Sequence, residues 1–277
     1  MKCAWNELLA ILPQSLKAGV EKYQNSLQEL RLRLGRSPEL VTQSGSHWLP
    51  IAVNQQDLNF VVHTASKYSP WAASTAAKGY ITATGGHRIG MCGDVVIKED
   101  KPAGIRTVTS LCIRVARDFD GIAGRSAALN GNILIIGPPG CGKTTLLRDL
   151  IRQISNSGSS VAVVDERGEL FPLGFEQGRR TDVLTGCSKA QGLDMALRTL
   201  GPECIAVDEI TADSDCSALL TCAWCGVRLL ATAHAESVQD LRSRRIYKAL
   251  WDAKIFENIL IIRRDKTWYT ERAMECH

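Results

Sequence analysis

Hydrophobic and polar positions follow two different rhythms along the chain. In the first part the rhythm keeps changing. Apolar residues recur at helical spacing over residues 5–16, which predicts an amphipathic helix. Leu30, Leu32 and Leu34 then alternate with Arg31 and Arg33, the period of a half-buried strand. Gly35-Arg36-Ser37-Pro38 supplies a turn, and residues 39–42 can return as a second strand. Residues 57–67 and 70–77 read as helices, with Asp57 as an N-cap and Pro70 at a helix start. Residues 79–97 read as strands broken at Gly85-Gly86 and Gly93. Residues 110–116 read as another strand, bearing Arg114 with Arg117 just beyond.

From residue 132 the rhythm becomes regular. Strand-like runs at 132–136, 161–165, 204–208 and 228–232 have helical segments between them. A helix over 238–251 precedes a fifth run at 258–263. Strand, helix and strand in series predict a mainly parallel sheet with right-handed crossovers. Asp265-Lys266 separates 259–264 from 267–271 and predicts a closing hairpin. The expected fold class is α/β: an α+β domain over 1–127, then a larger parallel-sheet domain over 128–277.

Composition narrows the class. The chain has 277 residues, 45% hydrophobic and 22% charged, which excludes disordered and fibrous proteins. The longest apolar runs, 133–136 and 259–262, are strand-sized and far short of a membrane span. The first residues lack the pattern of an export signal. The expectation is a soluble, cytoplasmic protein. The first 128 residues carry 15 Lys+Arg against 10 Asp+Glu, and the remainder 18 against 19. The basic first part permits an anionic partner, but a solvated surface explains it as well. Ten cysteines are present, of which only Cys222 and Cys225 have a suggestive spacing. No second such pair completes a zinc site. Their apolar setting favours a core helix, with a metal or redox pair as the alternative.

The chemistry begins at Gly137-Pro138-Pro139-Gly140-Cys141-Gly142-Lys143-Thr144, which fills every fixed position of a phosphate loop. A predicted strand enters it and a predicted helix, beginning near Thr145, leaves it. The loop therefore ends where unpaired N–H groups and the helix dipole favour phosphate. Lys143 would reach the terminal phosphates of ATP, and Thr144 would offer a hydroxyl to Mg²⁺. Residues 204–207 lead into Asp208-Glu209. A carboxylate at the end of such a strand can sit beside Mg²⁺, the expected role of Asp208. Glu209, one residue on, can polarise the attacking water. Asp165-Glu166 ends the preceding strand, and Thr232-Ala233-His234 the following one. A Thr or His at this edge can report whether a γ-phosphate is present.

The extra strand between the phosphate loop and Asp208 resembles the RecA-like and AAA+ branch of phosphate-loop ATPases. The four blocks in this order resemble the secretion ATPases of type II secretion, type IV secretion and pilus systems. Those enzymes carry a phosphate loop, an acidic box, a Mg²⁺-binding box and a histidine box. Further segments are similar to the stage III sporulation AA family within that group: Gly85-Gly86-His87-Arg88, residues 110–117, Asp165-Glu166-Arg167-Gly168-Glu169-Leu170 and Arg180-Thr181-Asp182-Val183-Leu184. The resemblance implies an ATP- and Mg²⁺-dependent motor, working as a homo-oligomeric, hexameric ring. It implies a peripheral place on the mother-cell face of the outer forespore membrane, with membrane-embedded components of the stage III sporulation complex as partners. It makes Glu166 a rival to Glu209 as the water-activating base. It also implies that the first domain supplies arginines to the γ-phosphate, with Arg114 and Arg117 the first candidates and Arg88 and Arg106 next.

Two other functions fit the same residues. One is a RecA-like motor on nucleic acid, against which stands the lack of an aromatic-rich basic stripe. The other is a nucleotide-regulated scaffold, which would need neither Glu166 nor Glu209. Arg179 and Arg180, expected in a polar loop, are candidates to reach a neighbour's nucleotide or an acidic partner.

Overall fold

The structure is a computed structural model, and it describes residues 3–67, 79–172 and 175–273. The helix expected over 70–77 lies outside the described residues. The chain forms two compact units, one of residues up to 118 with 172–175, the other of 119–171 and everything from 176.

In the first unit, α1 (Trp5–Ala10) and α2 (Gln14–Glu21) replace the single helix expected over 5–16. Pro13 adopts φ −60°, ψ 150°, an extended conformation that ends one helix and starts the next. Strands β1 (Leu27–Arg33), β2 (Glu39–Thr42) and β3 (Gly45–Trp48) form a meander. After α3 (Gln55–Lys67) come β4 (Tyr80–Thr82), β5 (Arg88–Lys98) and β6 (Lys101–Arg114). The sheet order is β3-β2-β1-β6-β5-β4, with every pairing antiparallel. Leu30 and Leu32 are fully buried among Leu8, Leu16, Leu58 and Ile113. Burying one such side chain is worth about 1.5–3 kcal/mol. A one-residue slip of β1 would exchange these leucines for Arg31 and Arg33, so the register is strongly fixed.

Three details differ from the sequence reading. Asp57 is not the N-cap of α3. The Asn54 side chain accepts the Asp57 N–H at 2.9 Å, and the Asp57 carboxylate accepts the Asn54 N–H at 3.0 Å, so Asn54 caps and Asp57 reciprocates. Gly93 interrupts the pairing but not the strand: β5 runs through it while its register to β6 shifts on either side, and a Cβ there would lie 1.8 Å from the Thr107 carbonyl oxygen. The glycine serves close strand approach. Strand β6 also begins well before residue 110.

The second unit is a seven-stranded sheet among the described residues. Its strands are β7 (Ile133–Gly137), β8 (Val161–Asp165), β9 (Thr181–Thr185), β10 (Cys204–Val207), β11 (Arg228–His234), β12 (Asn258–Ile262) and β13 (Trp268–Arg272). The order is β13-β12-β7-β11-β10-β8-β9. All neighbours are parallel except the β12–β13 hairpin. The helices are α4 (Lys143–Asn156), α5 (Lys189–Thr199), α6 (Asp213–Trp224), α7 (Val238–Ser243) and α8 (Lys248–Asp252). Every residue of β7, β8, β10 and β12 is buried, as expected for parallel strands covered on both faces.

Strand β9 was not expected, because residues 178–182 read as a polar loop. It is an edge strand with partly exposed side chains, so it lacks the apolar signature of its neighbours. Arg179 and Arg180 immediately precede it, at the sheet edge opposite the phosphate loop. Their backbone N–H groups are bonded to Asn156 and Ser155.

Residues 119–127, read from the sequence as part of the first domain, group with the second unit. The cause is Asp149, fully buried on α4. Its carboxylate accepts the N–H groups of Gly121 at 3.1 Å and Ala123 at 2.7 Å. Cys222 is fully buried in α6 beside Cys216 and Leu219, while Cys225 is exposed. Burial pushes the Cys222 thiol up to about 11, so it is an inert core residue. No group of three or more metal-ligating side chains occurs among the described residues.

His87 explains the Gly85-Gly86-His87 run. It is fully buried, with Nε2 2.8 Å from the Ala4 carbonyl and Nδ1 accepting the Ala116 N–H at 3.2 Å. Gly85 has φ +79°, and a Cβ there would lie 2.4 Å from that of Ala4. Burial pushes the His87 pKa down, opposed by the Ala4 hydrogen bond. The unfolded chain takes up this proton near the ordinary histidine value of about 6.5, where the folded chain refuses it. Stability should therefore be full above about pH 6.5 and fall as the pH drops toward the depressed folded value. Denaturant titrations between pH 5 and 7.5 check this. His87→Ala should remove that component of the slope and cost about 1–3 kcal/mol for each buried group left unpaired.

Candidate functional site

The second unit gathers its reactive side chains at the C-terminal edge of the parallel strands. Strand β7 ends at Gly137, and α4 begins at Lys143. Gly140 and Gly142 take φ +74° and +106°, conformations that favour glycine. No side chain caps the N-terminus of α4, and its first turn holds no acid. The first N–H groups of a 14-residue helix are thus free for an anion. Cys141 is buried, Thr145 half-buried and Pro139 exposed. These features suit a bound phosphate.

Lys143 is buried and folds back over the loop. Its Nζ donates to the carbonyls of Gly137 at 2.9 Å and Pro138 at 3.0 Å, and lies 3.1 Å from Nδ1 of His234. Burial pushes the ammonium below the ordinary lysine range, while Asp208 and Glu209 pull it back up. An ammonium has only donors, so His234 Nδ1 accepts. Nε2 then carries the proton and donates to Glu209 Oε1 at 3.0 Å.

Asp208 is held from two sides. Oδ2 accepts the Thr144 hydroxyl at 2.7 Å, and Oδ1 accepts the Thr232 hydroxyl at 2.6 Å. Thr232, fully buried, also accepts the Glu209 N–H at 2.7 Å. A carboxylate and a hydroxyl in contact are hard oxygen donors of the type Mg²⁺ takes alongside nucleotide phosphates. Glu209 stands at φ +55°. A non-glycine residue held there is strained, and such strain gathers at functional sites.

The acidic pair at the end of β8 divides its duties. Asp165, buried, accepts the N–H groups of Glu169 at 2.9 Å, Leu170 at 2.8 Å and Phe171 at 3.3 Å. Burial raises its pKa, and these bonds oppose the rise. It organises the turn that follows. Glu166 is fastened to the buried Lys189 at 2.8 Å, with Asp215 at 3.9 Å from the same ammonium.

Sequence reasoning missed Arg167, whose Nη1 lies 3.6 Å from Glu209 Oε2. It stood unnoticed inside the acidic block, and its neighbour comes from a strand more than forty residues away in the chain. Lys143, Thr144, Asp208, Glu209 and His234 are brought together within one unit. Arg114 and Arg117 belong to the first unit. Arg114 is exposed and 3.5 Å from Glu29, whereas Arg117 donates to the carbonyls of Gln24 at 2.8 Å and Leu27 at 2.9 Å. The Arg88 guanidinium lies 4.3 Å from the centre of the Tyr80 ring, and Arg106 is exposed.

Comparison with known proteins matches this architecture. The family described as sporulation stage III, protein AA, matches residues 4–273. The stage III sporulation protein AA of Bacillus subtilis (strain 168) is 37% identical, covering 94% of this chain and 92% of its own length. The solved structure of the ATPase DotB from Legionella pneumophila superposes with a TM-score of 0.58 at 16% identity, covering 92% of this chain and 77% of that one. The pilus retraction motor PilT, solved with bound ADP, gives 0.61 at 14% identity, covering 89% and 77%. The α/β fold with its mostly parallel sheet is therefore that of the RecA-like secretion ATPases.

Thr232 is the buried hinge of this cluster. Thr232→Val should leave the Glu209 N–H unpaired and destabilise the chain by about 1–3 kcal/mol. Thr232→Ser should restore most of it. Denaturant midpoints of the two variants check this.

Proposed function

The chain belongs to the sporulation stage III protein AA family, and on that premise we propose that it is an ATP-hydrolysing motor for a membrane-associated secretion or channel complex. One observation carries the proposal. The phosphate-loop lysine is joined through His234 to the carboxylate of Glu209, just beyond the end of β10. A site built only to bind nucleotide has no need to connect those two groups.

Each side chain has a role on this reading. The N-terminus of α4 and Lys143 hold the phosphates of ATP. Thr144 and Asp208 hold Mg²⁺, which when bound neutralises charge on the phosphates. Glu209 orients the attacking water and takes its proton. The water oxygen bonds to the terminal phosphorus, and the bond from that phosphorus to the bridging oxygen breaks. ADP keeps the bridging oxygen. Glu209 is preferred over Glu166 as the base, because Glu209 is the carboxylate joined through His234 to Lys143, whereas Glu166 pairs with Lys189 away from that link. His234 couples Lys143 to Glu209, so loading of the phosphate site is felt at the base. The Asp165 turn supports the edge on which these groups stand.

No helix among the described residues is long and apolar enough to cross a membrane. On this reading the chain docks on membrane-embedded partners, with the stage III sporulation complex as the proposed setting. The secretion-ATPase resemblance supports a homo-oligomeric, hexameric ring, in which neighbouring copies complete one another's sites.

Lys143→Ala should weaken ATP binding. Glu209→Gln should keep binding and lower turnover by at least about a hundredfold, the scale of a positioned acid or base. Glu166→Gln should cost much less. Equilibrium nucleotide titration and single-turnover hydrolysis separate the three variants. Specific activity of the wild-type chain should rise with protein concentration as copies assemble. Unchanged turnover in both Lys143→Ala and Glu209→Gln would sink the assignment.

A further inference from the structure

Both oxygens of the Glu209 carboxylate are engaged. His234 Nε2 lies 3.0 Å from Oε1, and Arg167 Nη1 lies 3.6 Å from Oε2. A base must turn an oxygen lone pair toward its water and take its proton, and a guanidinium beside Oε2 favours the charged carboxylate and so weakens it as a base. The groups run Lys143, His234, Glu209, Arg167 across the sheet edge, so a cation stands at each end of the chain and the base lies inside it.

Arg167 differs from the other members in its freedom. Lys143 is buried, but the Arg167 side chain is 54% exposed. Glu209 is its only ion-pair partner among the described residues. It sits on a tight turn fixed by Asp165, whose carboxylate collects the N–H groups of residues 169–171. Gly168, next to it, has φ +66°. The turn is anchored at both ends while the side chain at its tip stays open to solvent. It projects from the same edge of the sheet as the phosphate loop, since β8 and β7 run parallel within it. A guanidinium is a planar fork that pairs with phosphate oxygens two at a time.

We propose that Arg167 is a phosphate-reading residue of this unit. Its guanidinium rests on Glu209, 3.6 Å from Oε2. When a nucleoside triphosphate is bound, the guanidinium moves to the terminal phosphate, which takes its charge away from Glu209 and leaves that carboxylate the stronger base. A diphosphate lacks the γ-phosphate that draws it away, so the ion pair with Glu209 stays in place. The residue thus discriminates triphosphate from diphosphate and couples that discrimination to the base. The inference rests on the ATP-hydrolysis reading of the same site.

The test uses the full chain and its variants Arg167→Ala, Arg167→Lys and Lys143→Ala. Affinities for ADP and for a non-hydrolysable ATP analogue are measured with Mg²⁺, together with single-turnover hydrolysis. Arg167→Ala should leave ADP affinity unchanged and lose about tenfold or more in affinity for the analogue, the worth of a charged hydrogen bond. Its hydrolysis rate should fall by about a thousandfold, the scale of an arginine at the transferred phosphoryl group. Arg167→Lys should recover part of both. A merely structural arginine would lower both affinities alike, and that result overturns the proposal. So does an Arg167→Ala chain whose affinity ratio and rate match or exceed those of the wild type. If Lys143→Ala loses nucleotide while Arg167→Ala behaves as wild type, only the Arg167 role falls. If the wild-type chain binds no nucleotide, the hydrolysis reading falls with it.

Discussion

Strand β11 lies between the strand that enters the phosphate loop and the strand that ends in Asp208, and the site depends on that insertion. Its parallel register sets His234 opposite Gly137 on one side and Ala231 opposite Val207 on the other. The period-two alternation of a strand then puts Thr232 and His234 on the same face. Thr232 fills the gap to Asp208, and His234 the gap between Lys143 and Glu209. With β7 directly beside β10, Lys143 and Glu209 would have no imidazole between them. Remote parts of the sequence become one hydrogen-bonded chain because a strand with the right two polar residues is wedged between them.

Buried polar groups on α4 hold the surroundings still. Arg148 donates to the carbonyls of Leu170 and Glu169, and Arg152 to those of Phe119 and Glu176. Asp149 accepts from Gly121 and Ala123 and pairs with Arg152 at 3.2 Å. Three charged side chains on one helix would be costly to bury alone, but each is matched by backbone groups or by its neighbour. The helix that begins at the end of the glycine-rich loop therefore also fixes the segment entering the unit and the turn that carries Arg167. Removing one partner would leave a buried charge uncompensated, so this network ties loop geometry to the stability of the core.

The features legible in the sequence are those written locally. The strand, glycine-rich loop and helix around residues 137–144 follow one another within a short span, and spacing alone reveals them. Apolar runs mark β7, β8, β10 and β12 because both faces of those strands are covered. What could not be read depends on who lies beside whom. Strand β9 is half-exposed at an edge, so its residues carry no apolar run. Asn54 outcompetes Asp57 as a cap because the helix begins at Gln55, three residues before its first apolar residue, Leu58. The contact of Arg167 with Glu209 requires that β8 and β10 be neighbours, which spacing along the chain does not state. The bond of Thr232 to Asp208 depends in the same way on β11 lying beside β10.

His234 bridges Lys143 and the Glu209 carboxylate, and nitrogen NMR of that imidazole reads the bridge from its centre. In the nucleotide-free chain the ¹⁵N shifts should report a neutral ring protonated at Nε2, with Nδ1 accepting a hydrogen bond. Saturation with Mg²⁺ and a non-hydrolysable ATP analogue should draw Lys143 to the phosphates and shift the Nδ1 resonance toward that of an acceptor without its donor. A ring protonated at Nδ1 in the nucleotide-free chain, or shifts that stay fixed at saturating nucleotide, would show that His234 does not couple Lys143 to Glu209.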